Sequence, residues 1–149
     1  MRAVVQRVTK ARVTTGGKTA GEITAGLLVY LSVGKNDGEK DARFVADKIA
    51  GLRIFNDSDG KMNLSCPDTG GKILLVSNFT LHGDCRKGRR PSFNAPAAPE
   101  KAKNLYEGVV QLLREKGITV QTGEFAASMK VESVNDGPAT FLIDSHKTF

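Results

Sequence analysis

Apolar positions along this chain follow two different rhythms. Residues 2–8 and 11–15 are rich in β-branched side chains, and the short polar break between them predicts two strands. Gly16-Gly17 supplies the positive φ that a tight hairpin turn demands, returning the chain over residues 18–24. Residues 26–33 are almost continuously apolar, the pattern of a strand buried on both faces. Further strands are predicted over residues 52–55, 73–77, 118–122, 129–135 and 139–144. Met129, Val131 and Ser133 alternate with Lys130, Glu132 and Val134, which predicts one wetter face there.

Two segments carry the helical rhythm instead. Ala42, Val45, Ala46 and Ile49 fall at i, i+3, i+4 and i+7, with Asp37 and Glu39 near the start and Gly51 just past the end. Ala102, Leu105, Tyr106, Val109, Leu112 and Leu113 form a longer apolar stripe. Pro99 suits its first turn, and Gly117 suits the left-handed position beyond Arg114 and Lys116. Many strands and two helices argue against a βαβ repeat. The expected fold is α+β: one compact domain over residues 1–149, a mostly antiparallel, barrel-like sheet with two main helices.

Composition narrows the chemistry. A chain of 149 residues, 40% hydrophobic and 26% charged, is long enough to bury a core without disulfides or a structural metal. Two Cys, Cys66 and Cys85, in a chain without a secretory signal read as reduced thiols. The longest apolar run, residues 26–33, falls far below the roughly 18 residues of a membrane helix. A cytoplasmic location is therefore expected, with no membrane partner. With only two His and no Trp, there is no imidazole or thiol cluster, and no cofactor or metal site is expected.

Several apparent motifs lack their required context. Gly17-Lys18-Thr19 resembles the end of a phosphate-binding loop, but it sits in a hairpin, and Arg12 stands where the first glycine belongs. Asp57-Ser58-Asp59-Gly60 resembles a calcium loop but lacks the closing glutamate, so it reads as a turn. His82, Asp84 and Cys85 do not have zinc spacing.

Three segments carry more. Ser77, Asn78, Phe79 and Thr80 follow a buried strand; they either satisfy the end of the sheet or surround backbone N–H groups that hold an oxyanion. Asn135-Asp136-Gly137-Pro138-Ala139-Thr140 reads first as a turn between two strands. Arg86, Lys87, Arg89 and Arg90 place four cations within five residues, and Arg2, Arg7, Lys10, Arg12 and Lys18 add an unbalanced basic start. These clusters are either solvated surface or the footprint of a polyanion, in a chain of net charge +6. With only Phe79 and Phe93 nearby, a stacking platform for long single strands is not expected.

Taken together, these segments resemble the D-aminoacyl-tRNA deacylase family. The match runs through Met1-Arg2-Ala3-Val4-Val5-Gln6-Arg7-Val8, Leu52-Arg53-Ile54-Phe55 and Gly60-Lys61-Met62-Asn63. It continues in Ser77-Asn78-Phe79-Thr80-Leu81, Arg90-Pro91-Ser92-Phe93 and Asn135-Asp136-Gly137-Pro138-Ala139-Thr140. Asn78 stands where the family has Gln, one methylene shorter, and Ala139 where it has Val. The resemblance implies hydrolysis of the ester joining a D-amino acid, or mischarged glycine, to the tRNA acceptor end. It implies a homodimer whose sites lie between subunits. Catalytic groups would come from Ser77, Asn78, Phe79 and Thr80. Substrate contacts would come from Gly137, Pro138, Ala139 and Thr140 of the other subunit, with Gly137-Pro138 in a cis peptide. L-amino acids would be excluded by the carbonyls of that dipeptide. Either the Thr80 hydroxyl attacks the ester, or the RNA 2′-OH assists water. The competing readings are a basic tRNA-binding module without catalysis and a hydrolase of small esters.

Overall fold

The computed structural model describes residues 1–148. β1 (Arg2–Thr15), β2 (Lys18–Ile23) and β3 (Gly26–Ser32) precede α1 (Glu39–Gly51). A short hairpin, β4 (Phe55–Asn56) and β5 (Met62–Leu64), leads to β6 (Lys72–Ser77). α2 (Pro99–Glu115), β7 (Val120–Thr122) and β8 (Lys130–Asp144) complete the chain. The fold is α+β, with a sheet that is nearly closed into a barrel. Among the described residues, no helix is long and apolar enough to cross a membrane.

β1 is the spine of the sheet. It runs unbroken through the polar break at Thr9 and Lys10, because antiparallel β8 follows it from Arg2 to Thr14 and carries the ladder across. Its other edge pairs antiparallel with β3 in its first half and β2 in its second. β8 likewise joins the two strands expected over residues 129–135 and 139–144.

The sheet is mixed. β3 pairs parallel with β6, and β6 parallel with β7. Each parallel step is bridged by a helix, α1 and then α2, so two crossovers occur where the sequence argued against a βαβ repeat. Both helices pack on one side of the sheet, which is why their apolar stripes share one core.

β3 and β6 have apolar residues on both faces because they separate two cores. Leu27, Val29, Leu31, Ile73 and Leu75 pack beneath the helices. Leu28, Leu74 and Val76 point the other way, onto Val8, Ala11, Val13 and Ile23. The sheet curls until β2 meets β7: a Cβ on Gly21 would lie 2.5 Å from the Thr122 carbonyl oxygen. Only glycine permits that approach.

Candidate active site

β6 ends at Ser77, where the chain enters a 3₁₀ turn over Phe79–His82. Three ties fasten this turn to the sheet, two from β3 and one from β1. The Asn78 N–H donates to the Leu31 carbonyl at 2.8 Å. The buried Ser32 hydroxyl donates to the Phe79 carbonyl at 3.3 Å, and Arg2 donates to the Leu81 carbonyl at 3.1 Å. Since Ser32 has given away its proton, it accepts from His82 Nδ1 at 2.6 Å. Burial pushes the His82 imidazole below its usual range, so it remains neutral and structural. It is oriented toward Ser32, away from any role as base or zinc ligand.

The rim of the turn is arranged differently. Phe79 and Thr80 are exposed, while Ser77 and Asn78 are half-buried. The Thr80 hydroxyl donates to Asn78 Oδ1 at 2.5 Å. That amide makes no cap hydrogen bond to the turn. The N–H groups of Phe79 and Thr80 come first in the turn and have no partner within it.

A cleft of about 600 Å³ opens beside these groups at the carboxyl ends of β3 and β6. Ser32, Ser77 and Asn78 line it together with Tyr30, Phe125, Met129 and Val131. Tyr106 and Phe125, which also line it, meet at 5.8 Å between ring centroids. An apolar cleft with a few polar groups in its lining suits a nucleoside carrying a small acyl group.

Gly137 and Pro138 lie elsewhere. In the pairing of β1 with β8, Gln6 faces Thr140 and Val8 faces Asn135, so residues 136–139 bulge outward opposite Arg7 alone. This protrusion, rather than a turn between strands, is what Asn-Asp-Gly-Pro builds. Its peptide Gly137-Pro138 is cis. Asn135 spans the base: its Oδ1 accepts from the Ala139 N–H at 2.8 Å, and its Nδ2 donates to Thr140 Oγ1 at 3.0 Å. Gln6 donates to the same hydroxyl at 3.2 Å. Arg7 anchors the far side, donating to the Asp136 carbonyl at 3.2 Å and the Ile54 carbonyl at 2.6 Å. Asp136, Gly137 and Pro138 are exposed, and Ala139 is buried.

Within one chain, the two predicted parts of the site are not brought together. β8 and β6 are separated by β1 and β3, about 14 Å across the sheet at ordinary strand spacing.

The basic residues also divide. Arg7 is buried, Arg12 pairs with Glu132 at 2.8 Å, and Arg2 is tied to Leu81 and Asp144. Much of the basic start therefore serves the fold. Asp84 holds Arg86 in a fork at 2.9 and 2.7 Å, while Lys87, Arg89 and Arg90 are exposed.

Sequence reasoning missed Arg7, Ser32 and Asn135 as positioning groups. A signal existed for the first: Arg7 shares a strand face with Val5, two residues away, and so points inward. A second unforeseen cluster groups Asp37, Asp41 and His146. Asp37 is already engaged there by the Met1 ammonium at 2.7 Å.

Comparison with known proteins gives a consistent result. The family model described as D-Tyr-tRNA(Tyr) deacylase matches residues 4–144. The chain is 60% identical over 149 residues to a D-aminoacyl-tRNA deacylase of Thermotoga petrophila, covering all of both chains. It is 58% identical over 149 residues to the protein of the same name in Koribacter versatilis, again covering both completely. Among solved structures it is similar to the c-Myc DNA Unwinding Element Binding Protein. There the TM-score is 0.91 and the identity 37%, over 97% of this chain and 98% of the other.

Proposed function

This chain belongs to the D-Tyr-tRNA(Tyr) deacylase family, and on that premise we propose that its cleft hydrolyses the ester of D-aminoacyl-tRNA, releasing amino acid and tRNA. The observation that carries this reading is the pair of N–H groups at Phe79 and Thr80, first in their turn, with Phe79 lining the cleft. The acylated terminal nucleoside occupies the cleft, and these two donors hold the oxyanion of the tetrahedral intermediate.

Water is the nucleophile in this reading. The Thr80 hydroxyl gives its proton to an amide oxygen, which is no base, and His82 is held by Ser32. The 2′-OH of the RNA ribose assists the water instead. Thr80→Ala should therefore keep single-turnover hydrolysis within about tenfold of the wild type, the scale of one lost hydrogen bond. A loss of three orders of magnitude would assign the nucleophile to Thr80.

Chiral selection falls to the Gly137-Pro138 protrusion of a second copy of the chain. Filter and cleft lie two strands apart in one chain, so a homodimer unites them. The backbone carbonyls of the dipeptide stand where an L side chain would project, and a rigid wall rejects that hand without gripping the other. Glycine, with no side chain, passes as well, which extends the reading to mischarged glycyl-tRNA.

The deciding experiment is hydrolysis of matched D-, L- and glycyl-tRNA by the purified protein, with its mass in solution measured alongside. Cleavage of the D and glycyl forms by a dimer is expected. Retained tRNA binding without cleavage would favour the non-catalytic module, the reading that exposed Lys87, Arg89 and Arg90 support by themselves.

A further inference from the structure

Beyond the 3₁₀ turn the chain forms a narrow ribbon whose role the chemistry above leaves open. Asp84 and Ser92 exchange both backbone hydrogen bonds, at 2.8 and 3.0 Å. The fork between Asp84 and Arg86 stiffens one side, and Lys87, Arg89 and Arg90 form a cationic tip. At the ribbon's base, Phe93 meets Phe79 edge to face, with centroids 5.2 Å apart and planes at 65°. Within the single chain both rings are open, Phe79 by 58% and Phe93 by 46%. Phenylalanine carries no polar handle that would favour such exposure. Here two rings hold one another in place at the base of a ribbon whose tip carries the cations. Each therefore meets a ligand with little ordering left to do.

Single-stranded nucleic acid asks for this combination: aromatic surface for bases, and cations for the phosphates between them. Phe79 lies between Asn78 and Thr80, on the turn that faces the ester, so the aromatic pair begins where a nucleoside leaves the cleft. We propose that Phe79, Phe93 and the Lys87, Arg89 and Arg90 tip seat the unpaired nucleotides preceding the acylated terminal nucleoside. The bases rest on the rings and the phosphates lie toward the tip. Two rings suit a short single-stranded end rather than a long strand. This inference rests on the cleft being the ester site.

The test compares two substrates: D-aminoacyl-tRNA, and D-aminoacyl-adenosine, which lacks the preceding nucleotides. Phe93→Ala should raise KM for the tRNA about tenfold, the scale of one lost base–ring contact, and leave hydrolysis of the adenosine ester unchanged. Phe93→Tyr, which keeps the ring, should match the wild type on both. Equal losses on both substrates, or no loss on the tRNA, would overturn the proposal. So would a Phe93→Ala protein of lower assembly state than the wild type, since the ring would then be a contact between copies. If the wild type cleaves neither ester, the cleft reading itself fails. The seat is then read from binding of uncharged tRNA with and without its unpaired 3′ nucleotides. A Phe93→Ala loss confined to the intact tRNA supports the proposal, and its absence overturns it.

Discussion

Gly137→Ala should abolish discrimination between D- and L-aminoacyl-tRNA. Gly137 has φ +131°, a region that L side chains rarely adopt. A Cβ there would lie 2.9 Å from the Ala139 nitrogen and 3.2 Å from the Arg7 guanidinium. Neither neighbour yields easily. The Ala139 N–H is bound by Asn135, and Arg7 is buried and bonded to the Ile54 and Asp136 carbonyls. The protrusion must therefore shift as a body, carrying with it the carbonyls proposed to form the wall. A displacement near 1 Å in an aligned site can cost about 10²-fold in rate. The D ester should be cleaved up to that much more slowly, while cleavage of the L ester becomes measurable. Single-turnover hydrolysis of matched esters reads both, with far-UV circular dichroism as the check on folding. Undiminished selectivity in a folded variant would remove Gly137-Pro138 from the filter.

The second large effect is on stability. Asp37→Asn should lower the free energy of unfolding by about 3–5 kcal/mol, the cost of removing one partner from a buried ion pair. The Met1 ammonium and the Asp37 carboxylate are almost fully buried, 0% and 1% exposed. Oδ1 accepts from the ammonium and from His146 Nε2, each at 2.7 Å, while Oδ2 accepts from the Gly34 N–H at 2.5 Å. Asparagine keeps one acceptor but sets an NH₂ among donors and leaves the ammonium without its counter-charge. Ser145 Oγ, 2.6 Å from the ammonium, offers a dipole and no charge. The damage should also reach the active site. Gly34 lies against the His82 ring, where a Cβ would stand 3.0 Å from Nε2. Urea unfolding of Asp37→Asn beside Asp41→Asn gives the comparison. Asp41 caps α1 by accepting from the Gly38 N–H at 2.9 Å, and asparagine keeps an acceptor there, so Asp41→Asn should cost at most about 1 kcal/mol. Equal midpoints for the two variants would refute the assignment.

Much of the fold was legible because local pattern and final packing agree. The stripe from Ala102 to Leu113 and the near-continuous apolar run ending at Val33 each demand one kind of burial, and each receives it. The continuity of β1 and β8 was not legible. Thr9 and Lys10 look like a break when read alone, and become strand only because β8 lies beside them. The hairpin of β4 and β5 was half hidden, because strands of two and three residues show no period. In the site, residues 77–80 stood out through small polar side chains at the end of an apolar strand. Ser32 and Asn135 did not. Their importance lies in what they reach, the Phe79 carbonyl and the Ala139 N–H, and no spacing in the sequence encodes those partners.

Asn135 ties off the protrusion from within its own strand, and Arg7 and Gln6 support it from β1, so the shape of the proposed filter owes nothing to the cleft across the sheet. Handedness and bond cleavage can then be inherited separately. An exchange such as Asn78 for glutamine would alter the lining of the cleft while the proposed stereochemical gate keeps its form. Descendants of such a protein are free to change their rate or their preferred amino acid without relearning which mirror image to refuse.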